Sequence, residues 1–441
     1  LPFFIFVNKQ KQLDPSIKNW LSLFIDEFDS HLQNRIDTYS AASFDTDLLM
    51  KFAHFYIHKS GLFYGQVNEK YHRDYQDSQS WSIDDNFKIS LVEGLFLMFV
   101  VSDNLRITKM DSTERRTYLK TCIQKIYEFY FLFSMQGESW QKYHDLYTGK
   151  VDELTIVEQV IDLRLSTPSI LKRDFWKGSL FNIYSALDVF YFAAWLTSNY
   201  SYDYRDKAKL DIIAVMNQAC EIKGTFRKNG EAVVSYFIAS GDFINAKPDT
   251  LYTHKSCDFD ECVKAYPVVL RLFLYEYAAF VCFVDTFFNV SAVLFLQDLA
   301  RKLQLENERT RLSLSSIEDY VMEEGKNIFY LNYGEGVAKI RKTIQNRYQT
   351  FINKNKQKIL TEVLESKELV ELIRKSVSED LSESEKKKVK EQIMDILKTL
   401  PSLAIFMVPG GAILLPMLLK IIPEEILMPS SFLNKKKDDE L

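Results

Sequence analysis

Turn-forming residues are scarce in this chain, and their scarcity limits the possible fold more than any other feature of the sequence. The 441 residues include only 14 Gly and 10 Pro, together about 5% of the chain, where ordinary proteins have about 12%. Long helices need few turns, so this composition favours an all-α protein built from multi-helix soluble bundles. It excludes β-sandwiches, collagen-like repeats and low-complexity chains. The length predicts two or three domains, for which an apolar fraction of 47% supplies the cores.

Charge is unevenly distributed along the chain. The formal net charge of −5 excludes a globally basic DNA-binding protein, so we expect no DNA partner. Five thinly spread Cys do not make a disulfide framework, which favours a reducing compartment. Residues 339–441 contain 19 Lys/Arg and 15 Asp/Glu, so this region carries +4 and the residues before it carry −9. The basic excess directly precedes the most apolar stretch, an arrangement typical of a membrane-proximal segment.

The most apolar stretch is an uncharged segment of 21 residues, Thr399–Leu419, which lies between Lys398 and Lys420. As a helix it would span roughly 31 Å, close to the hydrocarbon core of a bilayer at about 30 Å. Lysines at both ends can reach the membrane interfaces. We therefore predict a C-terminal membrane helix, with a buried hairpin inside a soluble domain as the alternative.

Helix-breaking residues interrupt this predicted span. They are Pro401, Pro409, Gly410, Gly411 and Pro416. Pro409 removes a mid-helix hydrogen bond, and the Gly pair weakens the turn that follows. A broken helix is tolerated at membrane depth where neighbouring helices or water satisfy the freed carbonyls. The pattern therefore predicts either oligomer packing through the Gly pair or a kinked, re-entrant element.

Both flanks of the segment carry further signals. Upstream, Ser382 and Glu385 have the spacing of a capping box at a helix start. The basic residues expected near the membrane surface are Lys386, Lys387, Lys388, Lys390 and Lys398. Downstream, residues 422–432 predict a short amphipathic exit with Pro423 and Pro429. Lysines are nearly balanced across the segment, so its orientation stays open.

The region Leu381–Phe432 resembles the membrane segment of the LETM proteins, the leucine-zipper and EF-hand transmembrane family of the mitochondrial inner membrane. It is most similar to bacterial LETM-related proteins labelled biofilm-associated. The resemblance rests on the runs LSESEKKK, LPSLAIFMVPGGAILLPMLLKIIP and LMPSSF, in which Pro409, Pro416, Lys420, Pro423 and Pro429 fall at the family's positions. It implies potassium/proton or calcium/proton exchange and association with ribosomes. The mitochondrial pattern has an acidic residue where this chain has Ala412, so the resemblance assigns transport to no particular residue.

Two other strongly apolar stretches, Leu180–Leu196 and Val268–Leu296, contain several charged or amide side chains each. Charges at hydrocarbon depth are costly, so we predict that both stretches are core helices of a bundle. Tyr277–Leu303 weakly resembles a TerB-like helical repeat. Asp285 matches the first acidic position of that repeat, but Ala292 occupies the second, which implies a degenerate copy.

Candidate chemical sites in the sequence are incomplete. His54 and His58 have the spacing of two ligands on one helix face, Cys257 and Cys262 form one close pair, and Glu69 to His72 is one Glu-x-x-His unit. Each lacks the second half that a metal site of its type requires, and no phosphate loop or nucleophile elbow occurs. We therefore predict no catalytic residue, no metal site and no cofactor.

The patterns together predict five regions. They are an N-terminal helical domain at 1–165, a second helical domain at 166–338, basic amphipathic helices at 339–398, the LETM-like membrane segment at 399–422 and a short charged tail at 423–441. Since the chain begins without a recognisable signal peptide, we expect the bulk of it on the cytoplasmic side of a bacterial inner membrane.

Three functions remain open at this point. The first is a non-enzymatic, membrane-anchored, LETM-related protein in cation homeostasis or in envelope and biofilm organisation. The second is a subunit of a potassium (or calcium)/proton exchanger, and the third is a ribosome-associated membrane factor. The expected partners are the lipid bilayer, a second copy of the chain, and a ribosome or anionic lipid.

Overall fold

A computed structural model describes a large part of the chain. The described residues are 12–36, 46–66, 75, 78, 81–136, 152–165, 182–198, 205–222, 228–241, 243, 248–285, 290–324, 328, 356–379 and 381–398. Every regular element within these ranges is a helix, and none of them is a strand. The prediction of an all-α, multi-helix protein is therefore confirmed.

The α-helices in the described ranges are numbered here in chain order. They are α1 (Trp20–Ile36), α2 (Thr46–Ser60), α3 (Ile83–Ser102), α4 (Ser112–Gln136), α5 (Glu153–Leu165), α6 (Ala186–Ser198), α7 (Arg205–Glu221), α8 (Lys228–Ser240), α9 (Pro248–Leu251), α10 (Phe259–Ala265), α11 (Val268–Asp285), α12 (Val290–Lys302), α13 (Asn307–Glu324), α14 (Lys356–Glu365), α15 (Lys367–Ser378) and α16 (Glu383–Lys398). Short 3₁₀ turns lie at Leu62–Tyr64, Arg106–Lys109 and Ile183–Ser185.

These helices belong to two compact units. The N-terminal unit is drawn from Leu1–Asn217, Ala232–Leu270 and Asn327–Tyr330. The C-terminal unit is drawn from Gln218–Glu231, Arg271–Lys326 and Leu331–Leu441. The five regions predicted from the sequence stay predictions.

Helix α6 lies at the centre of the N-terminal unit, where α2 and α3 pack against it. Residues 186–194 are each at most 2% exposed, because apart from Asp188 this stretch is apolar on all sides. Gly94 of α3 makes the close packing possible. A Cβ there would lie 2.6 Å from Cε1 of Tyr56 in α2 and 2.8 Å from Cγ2 of Val189 in α6.

Apolar residues at the start of the chain recur at helical spacing, and burial follows that spacing. Trp20, Phe24 and Phe28 of α1 are each at most 2% exposed. Phe55 of α2 differs, since 49% of its surface is exposed. The buried residues of α2 recur at helical spacing on the face that contains Tyr56. Phe55 lies outside that face, because adjacent residues of a helix point in different directions.

A carboxylate from another helix closes the N-terminal end of α1. Glu158 of α5 accepts hydrogen bonds from the backbone N–H groups of Leu21 at 2.8 Å and Asn19 at 3.1 Å. These N–H groups have no partner within their own helix, so the carboxylate acts as a cap supplied by tertiary contact. Burial raises the pKa of Glu158, and the two backbone N–H groups oppose that rise by stabilising its charged form.

A buried ion pair lies at the start of α6. Arg164 of α5 binds Asp188 with two hydrogen bonds, Nε to Oδ2 at 2.6 Å and Nη2 to Oδ1 at 2.9 Å. Tyr130 of α4 donates its hydroxyl to the same carboxylate at 3.1 Å. Asp188 is completely buried, and 6% of Arg164 is exposed. Burial lowers the pKa of the nearby Arg205. The positive charge of Arg164 lowers this pKa further, whereas the negative charge of Asp188 raises it.

The C-terminal unit contains most of α11 together with α12 and α13. The guanidinium of Arg271 donates to the backbone carbonyls of Leu303 and Gln304, so it satisfies acceptors that are left open at the end of α12. The prediction of a core helix at Val268–Leu296 is confirmed for α11, which is largely buried, but not for the start of α12, where Val290 is 75% and Leu294 is 59% exposed. The TerB-like reading of this region stays a prediction.

Within the described residues, no helix combines the length and the apolar character that a bilayer span requires. Thr399–Leu419, the predicted membrane segment, lies outside the described residues.

The buried pair at α6 leads to a stability prediction. Asp188→Asn leaves the buried guanidinium of Arg164 without its carboxylate, so we expect a loss of about 3–5 kcal/mol in the free energy of unfolding. Urea denaturation followed by circular dichroism measures the change. Asp47→Asn is the matched control, because the pair of Asp47 with Lys51 is exposed and its loss should cost less than about 1 kcal/mol. Equal effects of the two substitutions would contradict the prediction.

Candidate functional site

The described part of the chain ends in a helix trio, defined as α14, α15 and α16, whose last residue adjoins the uncharged segment. Each helix of the trio packs against the other two. The packing is made by one apolar stripe from each helix, and the buried side chains are Ile359, Val363, Leu369, Ile373, Leu381, Val389, Ile393 and Ile396. Their spacing of three, four and seven residues puts each set on one helix face.

A polar network joins the start of α15 to the middle of α16. The Ser366 side chain caps α15 by accepting from the backbone N–H of Leu369 at 3.3 Å. Its hydroxyl also donates to Oε1 of Gln392 at 3.1 Å, and Nε2 of Gln392 donates to Oε2 of Glu368 at 2.6 Å. The cap of one helix is therefore also the attachment point of another, which fixes the register between α15 and α16.

The capping box predicted at the start of α16 is confirmed. The backbone N–H of Ser382 donates to Oε2 of Glu385 at 2.9 Å, and the N–H of Glu385 donates back to the Ser382 hydroxyl at 3.3 Å. Lys375 of α15 lies 2.7 Å from Oε1 of the same carboxylate. The Lys375 ammonium and the Ser382 donors lower the pKa of Glu385 to about 2.

The predicted basic residues of α16 are only partly placed by the structure. Lys388 is 59% exposed, and its Nζ lies 3.1 Å from Oε1 of Glu368. The positions of Lys386, Lys387, Lys390 and Lys398 belong to α16, but their side chains lie outside the described set. Residues 356–398 contain ten Lys/Arg and ten Asp/Glu, whereas residues 339–355 contain five Lys/Arg and no acid. The basic excess that precedes the uncharged segment therefore comes from residues 339–355.

The remaining predicted site residues lie beyond the trio. These are Pro401, Pro409, Gly410, Gly411, Pro416, Lys420, Pro423 and Pro429, and all of them are outside the described residues. In the sequence, α16 ends directly before the predicted membrane segment. The segment's packing stays a prediction.

The metal candidates of the sequence lie in the N-terminal unit. His58 stacks on Phe63 with ring centroids 4.3 Å apart, and its Nδ1 lies 3.1 Å from the Tyr64 hydroxyl, which are contacts of a core histidine. Cys257 and Cys262 are in contact, with their Sγ atoms 3.7 Å apart. The unit Glu69 to His72 is outside the described residues.

The capping box makes the stability of α16 depend on pH. Because the folded pKa of Glu385 lies near 2, below its ordinary value of 4.5, its contribution is complete above about pH 4.5 and is lost as the pH falls through 2. Glu385→Gln should therefore reduce hydrogen-exchange protection of residues 383–398 at about pH 6 and have little effect at about pH 2. Glu391→Gln on the exposed side of the same helix is the control, and mass spectrometry of the peptide gives the readout. A deficit that is equal at both pH values would contradict this assignment.

Comparison with known proteins identifies one region of similarity. Residues 381–441 match the family model described as LETM1-like, RBD. Searches of curated proteins and of solved structures gave no match. The match begins at Leu381, immediately before the capping box, and includes all of α16 and the uncharged segment. The resemblance to the LETM proteins is therefore confirmed for this C-terminal region, while the biofilm-associated and TerB-like details stay predictions.

Proposed function

We propose that this chain is a non-enzymatic, membrane-anchored, LETM-related protein that acts in cation homeostasis or in envelope and biofilm organisation. It is anchored in a bacterial inner membrane with its bulk on the cytoplasmic side. The observation that carries the proposal is the match of residues 381–441 to the LETM1-like family model. The geometry of the trio supports it, because α16 ends at Lys398 and the uncharged segment begins at the next residue.

The trio is suited to lie at a membrane surface. In α16 the stripe Val389, Ile393 and Ile396 is buried against α14 and α15. Three lysine positions of α16 share one helical face, because they are separated by three, eight and eleven residues: Lys387, Lys390 and Lys398. Helical register puts this face opposite the buried stripe. With the acid-free residues 339–355, they supply the cations that anionic headgroups attract, at about 1 kcal/mol per residue near the surface.

An anchoring role is favoured over a transport role by the chemistry of the segment. Thr399–Leu419 contains no Asp or Glu, and a carboxylate at membrane depth is the usual carrier of a cation or a proton. An exchanger would have to use carboxylates from outside the segment, such as Glu424 or Glu425. In the anchoring role, the chain would contribute to cation homeostasis by organising other membrane components.

Alkaline carbonate extraction tests the anchor directly. We expect the full chain to stay in the membrane pellet and a chain truncated after Lys398 to be released, because the truncation removes the segment and retains the trio.

A substitution inside the segment tests membrane insertion without removing any residues. Val408→Asp places a charge near the centre of the segment, where insertion costs about 2.5–3.5 kcal/mol more, so this variant should be released at least in part. Val408→Leu is the matched control and should stay in the pellet. Release of the full chain would overturn the anchor and leave a soluble protein with a buried hairpin.

A second candidate, a ribosome-associated membrane factor, is favoured by the acid-free basic residues at 339–355. If these residues bind ribosomal RNA, co-sedimentation with ribosomes should be lost between about 50 and 200 mM salt. Arg341→Gln combined with Lys342→Gln should weaken it further. Lys51→Gln, at an exposed lysine of α2, is the control. Co-sedimentation that resists salt, or that is absent at low salt, would contradict this function.

A further inference from the structure

Three potential metal ligands converge in the N-terminal unit. Asp211 lies on α7, Cys262 on α10, and Cys257 just before α10. One ligand atom from each residue lies within 4.8 Å of the other two. Asp211 is 3% exposed and Cys262 is completely buried. This group of residues is called the thiol–carboxylate cluster below.

The local structure holds each member of the cluster in place. The Asp258 side chain caps α10 by accepting from the backbone N–H of Glu261 at 3.0 Å, which fixes the helix turn that presents Cys262. Asn217 of α7 donates to the backbone carbonyls of Leu251 at 2.8 Å and His254 at 2.7 Å. The loop that leads to Cys257 is therefore attached to the same helix that carries Asp211.

Two of the three ligand-to-ligand distances within the cluster match those around a tetrahedral metal ion. Around a zinc ion with Zn–S of about 2.3 Å and Zn–O of about 2.0–2.2 Å, two sulfurs lie about 3.8 Å apart, and a sulfur and an oxygen about 3.6 Å apart. The Sγ atoms of Cys257 and Cys262 are 3.7 Å apart, and Sγ of Cys262 is 3.6 Å from Oδ2 of Asp211. A disulfide would require the two sulfurs to be about 2 Å apart.

The surroundings of the cluster orient its carboxylate. Tyr266 donates its hydroxyl to Oδ2 of Asp211 at 2.5 Å. Lys207, one helical turn earlier on α7, lies 3.2 Å from Oδ2 of Asp211 and 3.2 Å from Oε2 of Glu261. Such partners fix the rotamer of a ligating carboxylate and complete the outer layer of a metal site.

We propose that Asp211, Cys257 and Cys262 form a site for one thiophilic divalent cation, with Zn²⁺ as the best fit. Two sulfur ligands and one oxygen ligand suit zinc, and three protein ligands leave the fourth position to water. On binding, each thiol loses its proton to solvent, two sulfur–metal bonds and one oxygen–metal bond form, and no electron is transferred. The bound ion would join α7 to α10 and thereby stabilise this part of the unit.

Metal titration of the full chain in mild detergent tests the site. The protein is first reduced and stripped with a chelator, and Co²⁺ is then added as a spectroscopic probe for zinc. We expect one Co²⁺ per chain and a thiolate-to-cobalt charge-transfer band, both reversed by Zn²⁺. Cys257→Ser and Cys262→Ser should abolish the band. Tyr266→Phe removes only a supporting hydrogen bond and should weaken binding about 10- to 100-fold.

The control is Cys220→Ala, which removes another buried thiol and should leave the band intact. Asp211→Asn keeps the size of the side chain and an acceptor for Tyr266, so it tests the carboxylate without emptying the core. Circular dichroism of each variant shows that the helices persist. The proposal is overturned if the wild-type chain takes up no Co²⁺, or if the band survives in both Cys257→Ser and Cys262→Ser.

Discussion

The N-terminal unit is organised around a carboxylate that water cannot reach. Asp188 is completely buried at the start of the apolar helix α6, and Arg164 from α5 and Tyr130 from α4 both bind it. A buried charge is tolerated only when its partners are fixed. The relative placement of α4, α5 and α6 is therefore tied to one point, and α2 and α3 pack against the helix that this point positions.

The helix trio is held together in a different way, by apolar stripes whose ends are closed with polar side chains. Ser366 and the Ser382–Glu385 box satisfy the starts of α15 and α16, and Gln392 and Lys375 connect those caps across the helices. Two ion pairs in the described part of the trio join α15 to the start or middle of α16, Lys375 with Glu385 and Lys388 with Glu368. In the sequence, the acid-free run of basic residues lies before the trio, at 339–355.

The thiol–carboxylate cluster shows why a candidate site can escape a reading of the sequence. Cys257 and Cys262 are visible there as a close pair, which by itself is half of a zinc site. Asp211 lies 51 residues before Cys262, and no motif marks it as a ligand. Only the packing of α7 against the loop and α10 brings its carboxylate to the two thiols.

The sequence by itself determined the all-α class, the stripes of the trio, the capping box of α16 and the LETM-like region, because each depends on neighbours within a few turns of one helix. The helical periodicity of residues 16–58 was also predictable, but the exposure of Phe55 was not, since it depends on which face the neighbouring helices cover. Tertiary structure alone decided the cap that Glu158 provides for α1, the burial of Asp188 between Arg164 and Tyr130, and the meeting of Asp211 with the cysteines. Each of these contacts joins residues far apart in the chain, and local sequence patterns do not encode distances between separate helices.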